Sequence, residues 1–285
     1  MIELFVYPTV LLFVISDSQQ PRRGILLFLV LSLGFSICYW LQNLYWPKGS
    51  LPSVIEWILW GVFRDFGPAI AAVITIAWEH GRTGLKELAG SLVRWRVSWR
   101  MYILALLGAV ALNAIGASVA FLLFNVPFSI GQLQPGRMAL LFFVLAIVDG
   151  PLGEEIGWRG YLLPRLLERT TAVRASFLIG FIWYVWHLPL YAADGRDFSP
   201  QFLSLYLVNT TSLAIIFTWF FLRTSHSIFF AIYLHNVSNY FNLFSRNLFP
   251  PLADTLIDNI AYLIAIVLLA ILASISLVRL EPSRK

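Results

Sequence analysis

From residue 101 to residue 136 the chain carries no Asp, Glu, Lys, Arg or His. A bilayer core about 30 Å thick needs only about 20 apolar residues per helix. Comparable windows recur at 2–16, 24–46, 54–78, 101–124, 138–163, 172–191, 201–222, 227–244 and 260–279. They are continuous rather than alternating over short segments, which argues for helices and against a transmembrane barrel. Composition agrees. Of 285 residues, 59% are hydrophobic and 12% charged, and the mean hydropathy is +0.77. That charged share is half the usual one of about 25%. A soluble globular enzyme, a disordered chain and a secreted disulfide scaffold are excluded. The single cysteine, Cys38, has no internal partner for a disulfide. The expected fold is all-α, a polytopic transmembrane bundle of eight to nine spans. The window 2–16 lacks a basic flank and a small-residue cleavage site, so it reads as a retained helix. The window 54–78 is interrupted by Arg64 and Asp65 and is expected to start as an interfacial helix.

The basic residues test this layout. With nine spans and the N-terminus outside, fourteen of the twenty Lys and Arg fall in inside loops, four in outside loops, and Arg64 and Arg159 within spans. This bias predicts a multi-pass protein of the cell (plasma) membrane with a cytoplasmic C-terminus. The net charge of +5 is therefore topological. It is spread over many short loops, which argues against a nucleic-acid surface. The segment 79–100 holds Arg82, Lys86, Arg94, Arg96, Arg100, Trp95 and Trp99, and is expected to form a short amphipathic helix at the cytoplasmic surface.

Ionisable groups at membrane depth are costly, so each is a functional candidate. The stretch 149–163, DGPLGEEIGWRGYLL, carries Glu154, Glu155 and Arg159. Glu155 and Arg159 are four apart and meet on one helix face as an ion pair, whereas Glu154 is rotated about 100° away from it. Gly150, Gly153, Gly157 and Gly160 form a small-residue stripe that admits a close neighbour. Asp149 and Asp65 are expected to satisfy local chain breaks. Further along, His187 precedes Pro189, and His235 and Asn239 share a face at a spacing of four. Counted from the nearest basic residue at the cytoplasmic ends, Glu154 lies about 16 Å deep, His187 about 20 Å, His235 about 14 Å and Asn239 about 20 Å. Three helices thus bring an acid, two imidazoles and a carboxamide to one layer.

That set suits hydrolysis. A desolvated carboxylate can deprotonate water, an imidazole can share the proton, and His235 with Asn239 can donate to the oxyanion formed from an amide carbonyl. The signatures HExxH, GxGD, GxSxG and GxxxxGK[ST] are absent from the sequence, the last arguing against an ATP-driven pump.

EExxxR (Glu154, Glu155, Arg159), an aromatic-xxx-His (Trp183, His187) and HxxxN (His235, Asn239), in this order, resemble the CPBP family. This is the group of CAAX proteases and bacteriocin-processing enzymes, also called Abi, that includes the type II CAAX prenyl endopeptidase. Trp183 stands where that family usually has Phe. The resemblance implies an eight-helix intramembrane protease core whose cavity opens toward the cytosol. It implies Glu154 as the base that activates water, His187 as its assistant, His235 and Asn239 as the oxyanion hole, and Glu155 with Arg159 as support. No cofactor is expected; zinc held by Glu154, His187 and His235 is the alternative. The implied partners are a peptide or lipidated protein substrate and the lipid bilayer. The chain divides into N-terminal helices with the basic segment (1–136), a protease-like core (137–245), and a last helix with a basic tail (246–285). A non-proteolytic scaffold or bacteriocin self-immunity protein of the same family is the competing function. A proton-coupled transporter ranks below it, because no inverted halves are visible.

Overall fold

Two apolar cores, one on each side of a buried polar seam, organise the molecule. The computed structural model describes residues 20–46, 49, 52, 54–56, 61–124, 140, 144, 150–196, 198–248 and 256–280. Helix α1 (Gln20–Tyr45) is followed by a π-helical turn (Gly61–Asp65), α2 (Gly67–Leu92) and α3 (Trp99–Phe124). Helix α4 (Pro151–Gly157) runs through a second π-helical turn (Trp158–Leu162) into α5 (Leu163–Leu167). The chain then forms α6 (Ala172–Ala193), α7 (Pro200–Arg223), α8 (Ile228–Leu248) and α9 (Leu256–Leu280). Local chemistry sets several of these starts. The Thr171 hydroxyl accepts the Arg174 N–H to cap α6, and Ser199 does the same for α7 from Phe202, with Pro200 opening the first turn.

Helices α1, α2, α4 and α6 build the first core around Phe28, Tyr39, Trp158, Tyr161 and Trp186. Helices α3, α7, α8 and α9 build the second around Phe217, Phe220, Phe230, Leu234 and Ile266. Large apolar side chains on the outside, such as Leu26, Leu107, Phe181 and Leu268, are exposed, as residues bathed in lipid tails are. The chain is a multi-pass integral membrane protein.

The span layout needs correction. Among the described residues, five helices are long and apolar enough to cross a membrane: Arg23–Tyr45, Trp99–Val119, Ala172–Ala193, Pro200–Arg223 and Tyr262–Arg279. The window 2–16 lies outside the described residues. The window 54–78 is no single helix, because the chain leaves helical geometry at Phe66 between the π-helical turn and α2. The window 138–163 is broken as well: Gly150 adopts φ +92 and α4 starts only at Pro151. Helix α4 is seven residues long, too short to cross by itself, and polar residues such as Glu79, Arg82 and Lys86 in α2 and His235, Asn236 and Asn239 in α8 make those two helices less apolar.

The small-residue stripe does what its spacing suggests. A Cβ on Gly153 would strike the Asp65 carbonyl oxygen, and one on Gly157 would strike Pro68, so α4 lies directly on the start of α2. Beyond a kink at Gly81 (φ 56, ψ −142), α2 continues as an amphipathic segment. Its Leu85, Leu88 and Leu92 face the core, while Arg82, Lys86 and Glu87 are exposed. The following residues are tied to the α7–α8 turn. Ser91 donates to the His226 carbonyl, Arg94 donates to that of Ser225, and Ser227 donates to that of Arg94 at 2.5 Å. Arg223 reaches Ser276 of α9 at 2.9 Å, and Arg165 reaches Glu79 at 3.1 Å. Segments that the sequence assigns to one side of the membrane thus contact one another.

Candidate functional site

The seam between the cores is built on Trp183. This residue belongs to the first core, and its ring lies 6.1 Å from that of Phe217 in the second. It sits one turn before His187 on α6, and the His187 Nδ1–H donates to the Trp183 carbonyl oxygen at 2.9 Å. A carbonyl only accepts, so Nδ1 carries the proton of that imidazole and Nε2 is its basic nitrogen. The Trp183 ring is 5.9 Å from that of His187 and 5.4 Å from that of His235, edge-on to the latter. Its indole N–H donates to Glu154 Oε2. One side chain therefore touches the acid and both imidazoles.

Each carboxylate of α4 has its own surroundings. Glu155 and Arg159 are both fully buried, at 0% exposure, and their ion pair measures 2.9 Å. The same oxygen of Glu155 takes His235 Nδ1 at 2.9 Å. The guanidinium of Arg159 lies 4.7 Å from the centre of the Phe217 ring and 5.5 Å from that of Trp183. Glu154, 5% exposed, meets neutral donors instead. Trp158 Nε1 reaches its Oε2 at 3.2 Å alongside the Trp183 indole. The helix-face argument foresaw the Glu155–Arg159 pair and turned Glu154 away from it; two tryptophans supply the donors to Glu154 instead.

Of the residues singled out from sequence, Glu154, Glu155, Arg159, His187 and His235 share this seam. Asn239 lies one turn beyond His235 on α8 and is half-buried. Asp149 lies outside the described residues. Asp65 is buried at the break before α2, with Arg64 at 3.9 Å. Sequence reasoning gave Trp183 the part of an aromatic wall and overlooked its N–H, and it gave Trp158 no part at all. A buried acid in an apolar span requires donors; that was the available signal. Tyr191 and Tyr206 also escaped notice. Their rings lie 5.5 and 5.7 Å from that of His187 and wall its outer side.

Among the described residues no three His, Cys, Asp or Glu side chains are grouped to hold a metal. Glu154 Oε2 is taken by indoles, His187 Nδ1 by the Trp183 carbonyl and His235 Nδ1 by Glu155.

Glu154, His187 and His235, from three helices, are thus brought together between two apolar cores. Comparison with known families agrees: residues 136–241 match the family model of the type II CAAX prenyl endopeptidase Rce1-like proteins. The matched segment contains the three motifs quoted above, and it is similar to that family. A curated relative, CAAX prenyl protease 2 of Methanococcus maripaludis, is 34% identical over 92 residues. That match covers 30% of this chain and 34% of the relative, so it spans about a third of the relative's length.

Proposed function

We propose that the protein is an intramembrane endopeptidase in which Glu154 activates water. The observation that carries this is the meeting of Glu154, His187 and His235 around Trp183. A carboxylate held only by neutral donors keeps its net charge and its capacity to accept a proton. His187 is held by its Nδ1–H, which directs its basic Nε2 to share the water. Water gives a proton to Glu154 and its oxygen adds to the amide carbonyl carbon. The oxyanion is held by Asn239 and by His235 Nε2–H. His235 already donates from Nδ1 to Glu155, so donation from Nε2 requires both nitrogens to be protonated. In that state Glu154 and Glu155 balance Arg159 and His235, leaving the site neutral overall, as a bilayer core favours. The tetrahedral intermediate then collapses. The C–N bond breaks, and Glu154 returns its proton to the leaving amine.

The substrate class we assign matches that relative's name as a CAAX prenyl protease: a protein or peptide, lipidated or not, presented from the membrane. We place the linked segments 79–100, 164–171 and 223–227, and with them the end of α9, at the cytoplasmic side on their positive charge. The test is cleavage by the purified full chain of lipidated CAAX-type and unmodified peptides, beside Glu154→Gln. Cleavage by the wild type and none by the variant supports the proposal. Cleavage by both removes Glu154 from the mechanism. Wild-type protein that cleaves neither peptide but moves a solute in proteoliposomes replaces the protease with a transporter.

A further inference from the structure

The two oxygens of Glu154 are not equivalent. Oε2 accepts from Trp158 Nε1 at 3.2 Å and from the Trp183 indole of α6. Oε1 lies instead beside Gly150, where an added Cβ would come within 2.6 Å of it. Gly150 also sits at φ +92, which an L side chain adopts only under strain. A side chain at position 150 is thus disfavoured by backbone and by space, and the region next to Oε1 is kept clear.

An indole N–H donates and never accepts, and it carries no charge at working pH. Two of them on one carboxylate oxygen stabilise the ionised form without neutralising it, as an arginine would. They also prevent the carboxylate from rotating. The geometry points to a division of labour between the oxygens: Trp158 and Trp183 are positioning residues that clamp Oε2, and Oε1 is the oxygen that exchanges protons with the attacking water, in the space left by Gly150. This inference rests on the proteolytic proposal for the same site. In the cycle the water O–H bond breaks toward Oε1 while the water oxygen bonds to the carbonyl carbon. The Oε1–H proton later passes to the leaving amine nitrogen. Oε2 keeps both indole bonds throughout. A Phe at the Trp183 position, as in the resembled family, keeps the wall and lacks the donor, so the two-indole clamp depends on this chain's own choice of residue.

The decisive experiment replaces Trp158 and Trp183, one at a time in the full chain, by β-(3-benzothienyl)alanine, which keeps the shape and exchanges the N–H for sulfur. Each replacement is expected to lower kcat about tenfold and to change KM by less than about twofold, as loss of a charge-assisted hydrogen bond away from the substrate would. Unchanged kcat at both positions overturns the clamp. A second measurement needs no activity. Of the eleven tryptophan indole ¹⁵N–H resonances, the two that vanish on replacement should also shift in Glu154→Gln. If neither shifts, the clamp is wrong whether or not the protein is a protease. If both shift while the wild type cleaves no peptide, the proteolytic proposal fails together with the role given to Oε1, and the hold on Oε2 stands by itself.

Discussion

Glu154 and Glu155 are neighbours on α4, yet they occupy opposite kinds of surroundings. Glu155 lies between Arg159 and His235, fully buried and ionically matched. Glu154 turns about 100° around the helix and meets two uncharged indoles. Matching a buried charge with a countercharge fixes it in place and removes its reactivity. Solvating it with neutral donors keeps it ionised and available. One helical turn thus supplies an ionically matched carboxylate and one held by neutral donors, the base of the proposed mechanism, and the partners that distinguish them come from α6 and α8.

Four experiments break or sharpen this contrast. The largest effect is expected at Glu154. Glu154→Gln should lower kcat by about 10²–10⁴-fold, the usual contribution of a general base, while the thermal midpoint stays close to wild type. A large fall in the midpoint would make Glu154 structural, like its neighbour. The reverse is expected across the turn. Arg159→Met leaves Glu155 with His235 alone and should destabilise the solubilised protein by about 3–5 kcal/mol, read from denaturation at constant detergent. A fully stable variant would show that the pair is dispensable. Asn239→Ala should reduce kcat by about 10²-fold with little change in stability, consistent with loss of one oxyanion donor; an effect confined to KM would instead assign Asn239 to ground-state binding.

The smallest effect lies far from the seam. Burial, and then the Arg165 guanidinium, hold the His80 imidazole below its ordinary value, against the opposing pull of Glu79, Glu87 and Glu168. Burial and Arg94 do the same to His226 in the α7–α8 turn. Because the folded chain binds these protons less readily than the unfolded chain, stability should hold above about pH 6.5 and decline as pH falls below it. The geometry agrees at His80, whose Nε2 accepts from Arg165 at 2.6 Å and loses that bond on protonation. His80→Gln should flatten the acid side of a midpoint-versus-pH curve; an unaltered slope would assign the effect to other groups.

Much was accessible from local spacing. The i to i+4 rule brings Glu155 to Arg159 and lines up His235 with Asn239, and the glycine period foretells the close approach of α2 to α4. The amphipathic continuation after Gly81 follows from residues within a few turns of one another. The breaks at Phe66 and Gly150 were signalled by the neighbouring Asp65 and Asp149, although hydropathy, which averages over a window, did not register them.

What this sequence determined by itself is a helical membrane protein with a small number of polar residues that water could not solvate and that therefore needed one another. Periodicity and transfer energy act along the chain, and both are legible there. Only the folded molecule decided which partner each acid received. Trp183 reaches Glu154 across 29 positions, and His235 reaches Glu155 across 80. Those pairings depend on how two cores pack against one seam, and packing is a property of surfaces meeting in space that no window along the chain contains.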